Sequence, residues 1–292
     1  MSMLDKHLSR FSQECRQLDA DRWRLTLTNG TALTVSARRD EDFLLLDADP
    51  GLCPAPERLV PLLERSHELP AAVKFALRGS TAFRLRAEFP LPEEGGDAAL
   101  RIREHLEGMR DALHRLRGWV SREAVGSEVA CPKQEGDGQA IPGGLTEALK
   151  EAGWEYHERP GGTLLADLGT GSRFLQAEVE QCGVGTRFRV TLYRHESAGD
   201  AAQQVLSLYL LEANAALRYA RAFLRREADG IAAGFEVRTE SAPSPTEAGH
   251  ALAALSVAGR ECAREMEVLK DGVVAGIYRS ARLPFHPQRK GA

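Results

Sequence analysis

The feature that most constrains this 292-residue chain is that it resembles itself. With Leu62 laid on Leu210, identities follow without a gap at Leu63 and Leu211, Glu64 and Glu212, Leu69 and Leu217, Ala72 and Ala220, Phe75 and Phe223, Arg78 and Arg226, and Glu88 and Glu236. Identities in one register, within the same order of elements, indicate an internal duplication. The length independently suits two domains, since a single core seldom organises so long a chain.

The break between the copies is the stretch SREAVGSEVACPKQEGDGQAIPG, where Gly, Pro, Gln, Ser and charge replace any periodic pattern. It reads as a linker. The expected division is a first repeat over 1–120, a linker over 121–143, a second repeat over 144–280 and a tail over 281–292. In the first repeat, spacing predicts a helix near 3–18 and strands near 22–28, 31–37 and 42–48. Helical segments are expected between 56 and 78, then a strand at 81–89 and a helix at 98–117. Trp23, Leu25 and Leu27 share one face, as do Leu33 and Val35, with the turn TNGT between them. Ile102, Leu106, Met109, Leu113 and Leu116 recur at helical steps. The second repeat gives a short helix, strands near 163–168, 173–181 and 186–194, a long helix at 208–225, a strand at 231–238 and a helix at 246–269. Phe188, Val190 and Leu192 alternate with Arg187, Arg189 and Thr191, the pattern of a sheet with one covered face.

The helix expected at 208–225 carries two apolar stripes, one of Leu208, Leu211, Ala215, Tyr219 and Ala222, the other of Leu206, Leu210, Ala213, Leu217, Ala220 and Leu224. A helix resting on one sheet needs an apolar face of only about 100°. One apolar over so wide an arc is expected to touch the sister repeat too, across a pseudo-twofold axis. Leu206, Leu210, Leu217 and Leu224 are the residues expected to pack between the repeats. Pro61 and Pro70 interrupt the corresponding segment of the first repeat, which is therefore expected in two pieces or kinked.

No motif spells out a reaction. PGGT, GTGS and GVGT do not continue into a phosphate-binding loop and read as turns. Glu64 with His67 and Glu104 with His114 lack the partners of a metal site, so solvated helix faces are the stronger reading. Arg187 and Arg189, with Arg218 and Arg221, form basic runs that suit an acidic peptide or phosphate. The plainer reading is a solvated face paired with carboxylates such as Glu227 and Asp229. A net charge of −4 and a pI of about 6.1 supply no global attraction to nucleic acid or an anionic membrane. The five cysteines are odd in number and never spaced as C-x-x-C, which fits a reducing cytoplasm. No apolar run is long enough to span a bilayer. No cofactor is expected.

At LLEANAALRYARAFLRREADGIAAGFEV, followed by a polar gap and an amphipathic helix, the second half resembles the YbjN family, whose domains share the fold of class I type III secretion chaperones. FALRGSTAFRLRAEFPLPEE in the first half is similar to the strand and exit of the same domain, with Ser66 where the second half has Asn214. The resemblance implies an α+β fold of two repeated domains, each a twisted, mainly antiparallel sheet with helices on one face. It further implies a non-enzymatic protein-binding or regulatory module for a protein or extended peptide client, active as a monomeric pseudo-dimer or weak homo-oligomer. The alternative is an enzyme or small-molecule binder with its site in the cleft between the repeats.

Overall fold

The computed structural model describes residues 3–28, 32–70, 72–78, 82–91, 96–121, 143–169, 174–183, 185–196, 199–228 and 230–282. The expected linker lies outside the described residues except where Ser121 ends one helix and Gly143 starts the next, and so do most of the tail, GTGS after Gly169 and the tip of TNGT.

The first repeat contains α1 (Met3–Phe11), β1 (Glu14–Asp19), β2 (Arg22–Thr28), β3 (Ala32–Asp40), β4 (Phe43–Ala48), α2 (Leu59–Glu64, flanked by 3-10 turns at Pro56–Arg58 and Arg65–Glu68), β5 (Val73–Arg78), β6 (Ala82–Pro90) and α3 (Gly96–Ser121). The second contains α4 (Gly143–Glu151), β7 (Tyr156–Arg159), β8 (Thr163–Asp167), β9 (Gln176–Cys182), β10 (Gly185–Glu196), α5 (Asp200–Ala216), β11 (Arg221–Glu227), β12 (Gly230–Arg238), α6 (Pro245–Val268) and α7 (Gly272–Arg282). Each repeat forms a six-stranded antiparallel sheet, in the orders β1-β2-β3-β4-β6-β5 and β7-β8-β9-β10-β12-β11. Strand for strand these orders are the same, as a duplication requires.

One face of each sheet makes its core by strict alternation. Leu44, Leu46 and Ala48 of β4 meet Phe89, Ala87 and Leu85 of β6, and this face takes Ile102, Leu106 and Met109 of α3. In the second repeat Phe188 and Val190 pair with Val237 and Phe235 beneath Leu252 and Leu255 of α6. Ser244 caps α6 through a reciprocal box, accepting from the Glu247 N–H while the Glu247 carboxylate accepts from its own. The Trp23 indole N–H donates to the buried Asp5 carboxylate at 2.7 Å, joining α1 to β2. No helix among the described residues is long and apolar enough to cross a membrane.

Four strands depart from the sequence expectation. The predicted helix at 208–225 is α5 only as far as Ala216; Leu217 caps it and the chain re-enters the sheet as β11. Its counterpart β5 lies inside the region expected to be helical up to residue 78. VKFALR and RAFLRRE are built mainly from residues of high helix propensity. Both strands are covered on both faces, which erases the alternation that marks a strand. β1 replaces the end of the first expected helix, and β7 falls in a stretch with no prediction. The helical region of the first repeat does break into pieces, with Pro61 in α2 and Pro70 ending the following turn.

The gapless register also needs a correction. Val73 pairs with Ala87, but Arg221 pairs with Glu236, because the β5–β6 hairpin is one residue longer than the β11–β12 hairpin. Phe75 therefore points into the core beside Phe83, whereas Phe223 lies on the opposite sheet face under the Arg189 guanidinium. Their identity in the alignment is not an equivalence in space.

Candidate functional site at the seam between the repeats

The repeats exchange helical segments. The end of α5 lies over the open face of the first sheet at β5, and α2 with its following turn lies over the open face of the second sheet at β11. The strands that end each sheet on this side, β5 and β11, are thereby covered. This crossed packing explains why α5 is buried on nearly every side, Leu206, Leu208, Leu210 and Leu211 included. Of the four residues expected between the repeats, Leu206 and Leu210 are on α5, Leu217 is its cap, and Leu224 is not helical but points from β11 into the second core against Ala233.

At the centre of the seam stand two buried glutamates in matching positions. Glu88 is opposite Leu45 in the first sheet and Glu236 is opposite Arg189 in the second. Glu88 receives the Lys74 ammonium at 2.8 Å, Arg86 at 2.6 Å and the Tyr219 N–H at 2.8 Å. Glu236 receives Arg189 and Arg221, each at 2.9 Å, and Arg238 at 3.0 Å. Burial by itself raises a carboxyl pKa, but the neighbouring cations win and hold both glutamates below the usual carboxylate range.

These cations also cross the seam to carbonyls at helix ends. Lys74 donates to Leu217 and Ala220 at 2.6 and 3.1 Å, and Arg86 to Ala215 at 2.5 Å, so α5 is capped by the first repeat. Reciprocally, Arg221 donates to Leu69, Pro70 and Val73 at 3.3 to 3.4 Å, and Arg238 to His67 at 2.9 Å. Cations belong at helix C-termini, where carbonyls lack partners and the dipole is negative. Asn214 completes the joint: its amide donates to the Phe75 carbonyl and its oxygen accepts from the Ala222 N–H, both at 2.7 Å. Ser66 occupies the corresponding place in the first repeat and points its hydroxyl at the Ala222 carbonyl. Tyr219 adopts the left-handed region (φ 60°), held by its bond to Glu88 and by an edge contact with Phe43.

The expected basic face thus resolves into different parts. Arg189 and Arg221 are buried in the Glu236 cluster, not displayed. Arg187 pairs with Glu180, and Arg218 is exposed beside Asp40 at 2.5 Å. Arg221 and Arg218 are not on a helix. Arginine on a strand can be buried when carboxylates and carbonyls meet it there; Glu236 comes from the same repeat, but the carbonyls that receive Arg221 come from the other repeat, more than 140 residues away in sequence. Glu236 was visible in the sequence only as one of the repeated identities.

Beside this layer the seam opens into a cleft of about 350 Å³. The first repeat lines it with Glu68, Leu69, Pro70 and Arg115, and the second with residues that include Cys182, Thr186 and Arg238. Among the described residues no group of three or more His, Cys, Asp and Glu side chains is placed to hold a metal ion. Glu64 is instead an ion-pair partner of Arg226 at 2.6 Å, and the His67 ring bonds to the Glu64 carbonyl. No protein-family model matches the chain, and comparison with curated proteins finds no relative.

Proposed function

We propose that the chain is a non-enzymatic protein-binding module, chaperone-like or regulatory, that captures an extended segment of a client in the cytoplasm. The observation that carries this reading is the distribution of sheet edges. The inner edges β5 and β11 are covered at the seam, while β1 and β7, at the far ends of the two sheets, expose their side chains along nearly their whole length. An exposed edge offers unpaired N–H and C=O groups to an added strand. Two such edges related by the pseudo-twofold suit an extended client. The likeness of Leu210–Val237 to the YbjN family and to secretion chaperones supports the same reading, with the two repeats standing in for the two subunits of a dimer. The charged groups buried at the seam are occupied in joining the repeats, which favours binding over catalysis.

The test is affinity capture of the intact chain from its own cells, followed by mass spectrometry and mapping of the retained segments. Specific proteins held through short extended segments are expected. Of Arg16→Pro and Gln17→Pro in β1, the one whose N–H faces outward should block an added strand while leaving the β1–β2 ladder intact. Recovery of the chain alone, or capture indifferent to both prolines and to the same pair of changes in β7, would overturn strand addition.

A further inference from the structure

Strand β1 has a neighbour on one side. Among the described residues it pairs with β2 and with no strand beyond it, and every residue of it except the half-buried Cys15 is exposed. Its sequence, ECRQLD, alternates across the sheet. Glu14 and Arg16 stand on the open face, opposite Thr26 and Arg24 of β2, while Cys15 stands on the covered face, opposite Leu25. Neither charge is well matched by β2. The Glu14 carboxylate meets the Thr26 hydroxyl at 3.5 Å, and Arg16 faces Arg24, a like charge that cross-strand pairing disfavours.

An edge of this kind can be completed by an identical edge if its sequence matches itself reversed. A two-fold axis that extends an antiparallel sheet passes between directly opposed residues, so one residue must face its own copy. Centred on Glu14 or on Arg16, the joint sets like charges together. Centred on Gln17, it brings to the axis Leu18, which the register with β2 skips. Centred on Cys15, Glu14 faces Arg16 of the second copy, Arg16 faces Glu14, and Gln13 faces Gln17. The same ion pair is then made twice on the open face, and no like charges are opposed. Gln13 is already in line for this ladder, its N–H donating to the Thr26 carbonyl at 2.9 Å.

We propose that β1 is a self-recognition edge, which pairs antiparallel with β1 of a second copy of this chain in the register centred on Cys15. The match is short, since the irregularity at Leu18 confines it to residues 13–17. It falls below the about 1,200–2,000 Å² of a stable interface, so the pair forms reversibly and by mass action. The joint closes on itself, which gives a pair and not a filament, and it leaves β7 free. It goes beyond the client reading: the partner is the chain itself, and no client is needed to observe it.

The purified intact chain is followed by sedimentation velocity over a range of concentrations, where a monomer–dimer equilibrium is expected. Glu14→Arg opposes arginine to arginine and Arg16→Glu opposes glutamate to glutamate, so each should weaken the dimer by about tenfold or more. The double variant Glu14→Arg/Arg16→Glu exchanges the charges and should return the affinity to within about threefold of the parent. Both positions are exposed, so these changes leave the core untouched. Arg159→Glu in β7 should leave association unaltered. A short bismaleimide should join Cys15 to Cys15 in the parent and the double variant but not in the single variants, with the exposed Cys53 and Cys182 as controls for unspecific linking. A chain monomeric at every concentration, association indifferent to both single reversals, or a double variant no better than the singles would overturn the proposal. Loss of association in Arg159→Glu, or linking through Cys53 or Cys182 without Cys15, would overturn it as well.

Discussion

His105 is a residue whose environment sets a pH limit. Its ring stacks on Phe89 with centroids 3.7 Å apart, its Nδ1–H donates to the Arg101 carbonyl at 2.6 Å, and burial drives its pKa from 6.5 to about 4. In the unfolded chain the imidazole takes its proton first, between those two values. Stability is therefore lost as pH falls from 6.5 toward 4, by up to about 3 kcal/mol. In His105→Phe this part of the acid dependence should vanish from urea unfolding curves taken across that window. Glu88 and Glu236 act lower on the scale: with folded pKa values below the ordinary carboxylate value, their contribution is complete above that value and is lost as pH falls through the depressed one. Replacing Glu236 by Gln leaves three arginines facing one another and should cost about 3–5 kcal/mol, since breaking a buried ionic network strands its remaining charges. A loss below 1 kcal/mol by denaturant titration would contradict this account of the seam. None of these partnerships was legible locally. The alternation of Phe188 and Val190 with Arg187 and Arg189 marks which residues share a face, but Arg189 is buried against Glu236 and the Phe223 ring, and Arg221 against a turn contributed by the other repeat.

At the level of elements, what the sequence revealed followed how each element is buried. Strands with one wet face, such as β2 and β3, and helices with one apolar stripe, such as α3, were readable to within a few residues. β5 and β11 were not, because tertiary cover on both faces overrides the propensity of their alanines, leucines and arginines. β1 was missed for the opposite reason, being so exposed that it carries no apolar alternation. Two substitutions probe element-level devices. Ser244→Ala removes the cap of α6 and should cost about 1 kcal/mol; Glu247→Ala should cost more, because the same carboxylate also pairs with Arg101 of the first repeat. Gly234 sits opposite the irregularity in β10 between Thr191 and Tyr193, where an added Cβ would collide with the Val190 carbonyl oxygen. Gly234→Ala should therefore destabilise by about 1–3 kcal/mol, measurable as a shift of the urea midpoint at unchanged slope.

For the whole molecule, the crossed packing of α5 and α2 predicts a single unfolding event. Trp23 and Trp119 report on the first repeat and Trp154 on the second. Their fluorescence and the far-UV signal should change together, with calorimetric and van't Hoff enthalpies equal. Lys74→Met, which removes a bond to Glu88, the cap of α5 at Leu217 and a bond to the Ala220 carbonyl before β11, should speed amide exchange in both sheets, not in the first alone. Two separable transitions would mean that the seam couples the repeats only weakly. The duplication itself was legible in the sequence, since the identities from Leu62 to Glu88 anticipated a shared strand order. The one-residue difference between hairpins was not, because an offset between sheet faces leaves no mark on a gapless alignment.

A true homodimer writes every change twice, so whatever strengthens one half of its joint must be tolerated in the other. Joining both copies in a single chain lifts that obligation. One glutamate can be held by a lysine and an arginine while its twin collects three arginines beside an opening, and two unlike joints are then cut from the same original stone.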